Sequence, residues 1–272
     1  MPKEAPIGLL DSGTGGLTIA SEVVKQLPGE DIIYYGDHLH LPYGPKDPAR
    51  VREYALQIMN FLIHEKKVKY LVIACNTATV VALDAAKREF DIPVVGPVQK
   101  GAEKAVKVTE NGKVGLLATT GTVNSCAYQR ALQELTSHLE VTAIAAPRLI
   151  PIVESGKITG ESTTEAVRRY LEPILRAGCD SVILGCTHFP YLKEIINKVS
   201  QDRLNTIYPE IEIAQQIKDE LAEKDLLNPQ KKGKQTYYTS SLKDVRKEFL
   251  EIGRERLKLE LNFQELNIFS KN

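Results

Sequence analysis

Two short motifs occur twice in this chain at nearly the same offset. The apolar runs at 7–10 (IGLL) and 114–117 (VGLL) are each followed by small hydroxyl residues and glycine. Farther along, two more apolar runs end in Cys75 and Cys186, and a small polar residue follows each cysteine. Two motifs that repeat together predict two similar structural units. Each unit would carry a cysteine at the end of a strand.

Strand patterns and helix patterns alternate along the chain. Apolar residues such as Leu17, Ala20 and Val24 recur at helical spacing between short apolar runs. Strands that are apolar on both faces and alternate with helices are typical of a parallel sheet covered on both sides. The sequence therefore predicts an α/β fold with two similar, pseudo-symmetric parallel-sheet domains. If these two domains face each other, the active site lies in the cleft between them. The predicted strands lie at 7–10, 32–35, 70–74, 92–95, 114–117, 141–145 and 181–184.

The domain boundary is predicted near Gly96-Pro97. We expect 1–97 to form the first α/β domain and 98–206 the second. The remaining segment, 207–272, is too short for a domain and is expected to return to the first one. Within it, the charged stretch at 243–261 has apolar residues at helical spacing, which predicts a solvated amphipathic helix.

Composition excludes several classes of protein. Thirty-five basic residues balance thirty-five acidic ones, so the chain lacks the charge of a general nucleic-acid binder. The sequence has no apolar run of the roughly 18 residues that a transmembrane helix needs, and its amino terminus does not resemble a signal peptide. The four cysteines are widely spaced, unlike a disulfide framework or a zinc ribbon. We expect a cytoplasmic protein with neither a nucleic-acid nor a membrane partner.

Cys75 and Cys186 are the leading candidates for chemistry, whereas Cys126 and Cys179 are predicted to be structural. If the two halves face each other, both thiols line one cleft from opposite sides. Two acid/base groups on opposite faces of a carbon can invert a stereocentre, and polar neighbours can lower a thiol pKa towards neutrality. Asp11 and His188 could each hydrogen-bond one thiol.

Each helper residue also has a structural interpretation. Asp11 could instead be the N-cap of a helix that begins near Gly16, and His188 could be a buried histidine with satisfied hydrogen bonds. Cys75, Cys186 and His188 could in principle form a zinc site, but structural zinc ligands usually come in close-spaced pairs. No metal site is therefore predicted.

The remaining motifs suit a small anionic ligand. Asn76-Thr77 and Thr187-His188 each open a helix after a strand, where free backbone N–H groups favour a carboxylate; capping would use the same residues. The glycine-rich turn at 11–16 lacks the ending of a P-loop and is a poor GxGxxG match. No cofactor motif is found, and no cofactor is predicted.

Six blocks together resemble glutamate racemase, a cofactor-independent enzyme of the aspartate/glutamate racemase superfamily that serves bacterial cell-wall synthesis. The resemblance implies interconversion of L- and D-glutamate by two-base proton transfer at Cα, supplying D-glutamate for peptidoglycan. It covers nearly the whole chain and weakens after about Tyr208. The blocks are GLLDSGTGGLT (8–18), YYGDHLHLPYG (34–44), ACNTA (74–78), VGLLATTGTVNS (114–125), PIVESG (151–156) and LGCTHFPYL (184–192).

The resemblance also implies roles for individual residues. Cys75 would act on the D-enantiomer and Cys186 on the L-enantiomer. The chain departs from the family pattern at His38 and His40, which suggests a different pH response in that loop. The residues that would assist the thiols are Asp11, Asp37, Glu154 and His188. The residues that would bind substrate are Asp11, Ser12, Tyr43, Gly44, Asn76, Thr77, Thr122, Thr187 and His188.

Two other functions remain open from the sequence. A related racemase acting on aspartate or another acidic amino acid would carry the same motifs, because substrate length depends on pocket shape. A non-catalytic binding protein for small dicarboxylates would explain the glycine turns and hydroxyls but not the paired cysteines. Enzymes of this shape often pair, so a homodimer is expected.

Overall fold

The computed structural model describes residues 1–269 and contains two all-parallel sheets. The first has six strands in the order β10-β9-β2-β1-β3-β4, and the second has four in the order β6-β5-β7-β8. The prediction of two parallel-sheet α/β domains is confirmed. The strands are β1 Ile7–Asp11, β2 Ile32–Gly36, β3 Tyr70–Ile73, β4 Val94–Val95, β5 Lys113–Ala118, β6 Glu140–Ala145, β7 Ser181–Gly185, β8 Asn205–Ile207, β9 Gln235–Thr239 and β10 Phe263–Glu265.

The helices connect these strands and cover both faces of each sheet. No helix within residues 1–269 is both long and apolar enough to cross a membrane. The helices are α1 Leu17–Gln26, α2 Pro48–Asn60, α3 Asn76–Glu89, α4 Pro97–Val108, α5 Thr120–Asn124, α6 Ala127–Leu135, α7 Leu149–Glu154, α8 Glu161–Arg176, α9 Lys193–Ser200, α10 Glu210–Glu223 and α11 Lys247–Leu257.

The two sheets share one arrangement around a central strand. β1 pairs with β2 and β3, and β5 pairs with β6 and β7, all in parallel. One cysteine follows β3 and the other closely follows β7, so both lie at the carboxyl ends of strands that flank the centre. Ligands of open parallel sheets bind at that end. The repeated motifs therefore correspond to equivalent places in the two sheets.

Four apolar clusters form the core, two for each sheet. In the first sheet, one cluster joins it to α1 and α10, and the other joins it to α2 and α3. In the second sheet, the clusters include residues of α8 and α9 on one side and of α4 and α6 on the other. These rigid layers hold the strand ends, and therefore the cysteines, in fixed places.

The carboxyl-terminal segment adds to the first sheet. α10 packs on α1, and β9 and β10 extend that sheet beyond β2. Sheet membership therefore supports the division that we propose, 1–97 with 207–272 as one domain and 98–206 as the other. Residues 270–272 lie outside the described structure.

The helix at 243–261 is less solvated than expected. It is present as α11, but Phe249 is only 1% exposed and packs in the core of the second sheet. Phe249 and Ile252 therefore face the core of the second domain, whereas Leu250 packs against the core of the first.

Candidate active site

Cys75 and Cys186 face one pocket between the two sheets. Both thiols are buried, and both line this pocket. Among the predicted binding residues, the following also line it: Ser12, Tyr43, Gly44, Asn76, Thr77, Thr187 and His188. Four predicted residues lie outside this lining and contact residues that belong to it. These four are Asp11, Asp37, Thr122 and Glu154.

Cys75 is held as a neutral thiol. Its Sγ lies 3.9 Å from Ser12 Oγ and accepts a hydrogen bond from the backbone N–H of Ala78 at 3.5 Å. Burial, reinforced by the nearby charge of Asp11, raises the pKa of Cys75 to about 12. The polar neighbours Ala78 and Ser12 do lower the pKa, but desolvation of the thiolate outweighs their two weak hydrogen bonds.

Cys186 has a different environment. Its Sγ lies 3.8 Å from Nδ1 of His188, whose Nε2 lies 2.8 Å from Oε1 of Glu154. Burial alone would lower the pKa of His188, but the hydrogen bonds to Cys186 and Glu154 raise it to about 10. The imidazole is therefore held in its protonated form, and its Nδ1 lies within hydrogen-bond distance of the Cys186 sulfur.

Glu154 and Phe249 hold the His188 ring, and Arg246 in turn contacts Glu154. Burial opposes ionisation of Glu154, yet the hydrogen bond from His188 brings the pKa of the carboxyl below its ordinary value. The Nε of Arg246 lies 3.7 Å from the other oxygen of Glu154. The ring of Phe249 is stacked on the imidazole at 5.5 Å between centroids. His188 is thus a buried histidine with satisfied hydrogen bonds. The same contacts place it beside Cys186, so the structural and the functional interpretation of His188 are both met.

The pocket therefore has, on one side, a cysteine whose ionisation burial disfavours and, on the other, a cysteine beside an imidazolium. A neutral thiol can donate a proton, and a thiolate can accept one. This arrangement equips the site to remove a proton from one face of a bound carbon and to return one to the opposite face.

Asp11 fills neither of the two roles that the sequence left open. The N-cap of α1 is Gly16, which has no side-chain cap bond, and the hydrogen bonds of Asp11 go to the glycine-rich turn and to Thr187 rather than to a thiol. Its Oδ2 accepts hydrogen bonds from the backbone N–H groups of Gly13 and Gly16, each at 3.1 Å. The hydroxyl of Thr187 donates to its Oδ1 at 3.5 Å, across from the other domain. Burial raises the pKa of Asp11, although the charge of His188 and the backbone N–H groups oppose this.

The glycine-rich turn is close to the second half of the site. A Cβ added to Gly15 would collide with the hydroxyl of Thr187 and with the His188 ring. Glycine is thus required here for close approach to the other domain rather than for binding a phosphate.

Asp37 supports the pocket from behind. It accepts hydrogen bonds from Tyr43 Oη at 2.6 Å and Ser240 Oγ at 2.8 Å, and His40 Nδ1 lies 2.9 Å away. These contacts fix the Tyr43 ring. They also mean that Asp37 interacts with Tyr43, Ser240 and His40 rather than with a thiol. His38, by contrast, bonds Thr239 Oγ1 through Nδ1 at 2.8 Å.

Thr119 is a lining residue that the sequence reasoning missed. It lines the pocket and lies 3.0 Å from Thr77 and 3.1 Å from Thr122, hydroxyl to hydroxyl. Thr122 sits behind these two, fully buried. The duplication offered a signal, because Thr119 follows β5 as Ser12 follows β1.

The other two cysteines lie apart from the pocket lining. Cys179 is buried in the apolar cluster of the second sheet, whereas Cys126 is exposed at the start of α6. Within residues 1–269, no group of three or more His, Cys, Asp or Glu side chains is arranged to hold a metal ion.

Comparison with known proteins places this geometry in one family. The Asp/Glu/Hydantoin racemase family model matches residues 7–205. A glutamate racemase from Geobacter metallireducens is 40% identical over 93% of this chain and 92% of its own. A glutamate racemase structure from Bacillus anthracis has a TM-score of 0.90 at 36% identity, covering 97% of this chain and 98% of that one.

A Francisella tularensis glutamate racemase, solved in complex with D-glutamate, also has a TM-score of 0.90, with 31% identity over 98% of both chains. These similarities extend across both sheets and through the carboxyl-terminal segment, where the sequence motifs weaken. The chain is an amino-acid racemase that belongs to the Asp/Glu/Hydantoin racemase family, in its glutamate racemase group.

Proposed function

We propose that this protein interconverts L- and D-glutamate by proton transfer at Cα between Cys75 and Cys186, without a cofactor. The observation that carries the proposal is that two thiols, placed after equivalent strands of two sheets, line one small pocket. The nearby hydroxyl and amide groups suit the carboxylates of an acidic amino acid, and the relatives named above are glutamate racemases.

In the L-to-D direction Cys186 is the base. Its thiolate, paired with the His188 imidazolium, takes the Cα proton of L-glutamate and becomes a thiol. Cys75, a neutral thiol because burial raises its pKa to about 12, donates its proton to the opposite face. One C–H bond breaks and one forms, so the product is D-glutamate and no oxidant or reductant is needed.

The reverse direction uses the same groups with their protons exchanged. Cys75 must then be the thiolate and Cys186 the thiol. Burial and the Asp11 charge disfavour a Cys75 thiolate, and we propose that the resting enzyme is therefore set for L-glutamate. Proton exchange with water returns the pair to that state after each turnover.

The remaining site residues have supporting roles. Ser12, Tyr43, Gly44, Asn76, Thr77 and Thr187 line the pocket and would bind the substrate carboxylates and amino group, with Thr122 behind them. Glu154 holds His188, and Asp37 holds Tyr43. We propose that D-glutamate made in this way serves peptidoglycan synthesis in the cytoplasm, and that the enzyme works as a homodimer.

A panel of L- and D-amino acids, read by circular dichroism, tests this proposal. We expect loss of optical activity with either enantiomer of glutamate and little with aspartate. Efficient racemisation of aspartate would overturn the substrate assignment.

Thiol alkylation tests the role of the cysteines. It should abolish activity, and bound glutamate should slow the inactivation. A protein that binds glutamate without racemising it would be a dicarboxylate-binding protein instead.

A further inference from the structure

Tyr128, which the proposed reaction does not use, bridges the two halves of the site. It lies on α6 beside the second sheet and is fully buried. Its hydroxyl donates a hydrogen bond to Oδ1 of Asn76 at 2.7 Å. Asn76 opens α3, directly after Cys75. A single buried hydrogen bond therefore connects the second domain to the residue next to the cysteine of the first.

The tyrosine ring is seated by two glycines. A Cβ added to Gly101 on α4 would lie 3.0 Å from the Tyr128 ring, and one added to Gly185 would lie 3.3 Å from it. Gly185 is the last residue of β7 and directly precedes Cys186. Tyr128 thus packs on the residue before one cysteine while its hydroxyl holds the residue after the other.

The hydrogen bond decides which end of the Asn76 amide the pocket receives. With Oδ1 occupied by Tyr128, the Nδ2 group remains for the pocket that Asn76 lines. An NH₂ group donates to a carboxylate, whereas an amide oxygen repels one. Without the hydroxyl, the amide could rotate and present either end.

We propose that Tyr128 is a positioning residue that sets the Asn76 amide as a donor for a substrate carboxylate. The proposal rests on the proposed function for the identity of the ligand. The carboxylate is already charged in the bound substrate, so loss of the interaction weakens binding before any chemistry and should raise KM. If Asn76 meets the α-carboxylate, onto which charge spreads from Cα during proton transfer, kcat should fall as well.

The test compares Tyr128→Phe with Tyr191→Phe. Tyr191 is also a buried tyrosine near the site, and within residues 1–269 its hydroxyl has no hydrogen-bond partner, so this variant controls for loss of a buried hydroxyl. A hydrogen bond to a charged group contributes roughly ten- to a hundredfold in affinity. In Tyr128→Phe the Asn76 amide can rotate, but it still donates this bond part of the time. We therefore expect about a tenfold rise in KM for this variant. The control should keep the wild-type KM.

A double-mutant cycle with Asn76→Ala separates positioning from a general loss of structure. In the Asn76→Ala background, Tyr128→Phe should cause no further rise in KM, because no amide remains to be oriented. A further rise of the same size would overturn the proposal, and so would a wild-type KM in Tyr128→Phe itself. Calorimetric titration with D-glutamate should show the same ratios of dissociation constants.

Failure of the two proposals is distinguishable. A wild-type protein that racemises glutamate, with Tyr128→Phe unchanged, would overturn only the role of Tyr128. A wild-type protein that neither binds nor racemises glutamate would overturn the proposed function, and with it the role of Asn76 that Tyr128 is inferred to serve.

Discussion

Replacing Glu154 by Gln tests whether this carboxylate keeps the imidazole of His188 protonated. The substitution preserves shape and an acceptor oxygen but removes the charge. In the structure the two groups are buried and 2.8 Å apart. The pKa of about 10 at His188 reflects burial, which lowers it, and the contacts to Cys186 and Glu154, which together raise it more.

The size of the change follows from that geometry. An opposite charge at this distance typically shifts a pKa by roughly one to three units. Because Cys186 supplies part of the effect, we assign roughly one to two units to Glu154, so the pKa of His188 should fall to roughly 8–9 in the variant. A lower pKa means that the imidazolium is lost earlier as the pH rises. The basic limb of the activity profile should therefore move to lower pH.

The assay is kcat/KM for L-glutamate, followed by circular dichroism between about pH 6 and pH 10, since this ratio reports ionisations of the free enzyme. Ionisation of the substrate is common to both enzymes and cancels in the comparison. Glu165→Gln on α8 is the matched control, because that glutamate pairs with arginines on the exposed surface. An NMR titration of His188 should show the same shift. A basic limb that stays at the wild-type position would refute the reasoning.

Three further outcomes are expected. Alanine at either Cys75 or Cys186 should reduce racemisation by at least about a hundredfold, the usual scale for a positioned acid or base; substantial activity in either variant would contradict the two-base assignment. His188→Asn should lower kcat more for the conversion of L- to D-glutamate than for the reverse. The ratio kcat/KM should fall equally in both directions, because the enantiomers have equal free energy. Equal falls in both kcat values would contradict the pairing of His188 with Cys186. The raised pKa of His188 also contributes stability that is complete below its ordinary value near 6.5 and is lost as the pH rises through about 10. The unfolding temperature of the wild type should therefore fall more than that of His188→Asn over this window, and parallel curves would contradict the link.

The sequence predicted the parts of the site that follow apolar strands. Asp11, Cys75 and Cys186 were found because each stands at the end of such a run, and parallel strands bring their carboxyl ends together. The duplicated motifs predicted two similar units, and the two parallel sheets with their shared strand arrangement confirm them.

Other parts left no local pattern. The strands β8 and β10 have three residues each and lie at sheet edges. The strand β9 lies inside its sheet, but partly exposed residues stand there in place of an apolar run. The contacts of Phe249 with His188, and of Ser240 with Asp37, join residues far apart in the chain. Which of the two cysteines is the neutral thiol could not be read from the sequence, because burial, which dominates the pKa of Cys75, is a property of the packed core.

Isotope incorporation in heavy water tests the two-cysteine mechanism most directly. Wild-type enzyme is given L-glutamate, and both enantiomers are recovered at early times, separated on a chiral column and analysed by mass spectrometry. The two-cysteine mechanism predicts D-glutamate with deuterium at Cα, because its new hydrogen comes from the solvent-exchanged thiol of Cys75 on the opposite face. The remaining L-glutamate should stay largely protiated, because Cys186 seldom returns a solvent-derived proton to the face it came from. Unlabelled D-glutamate, or extensive early labelling of the recovered L-glutamate, would contradict the mechanism.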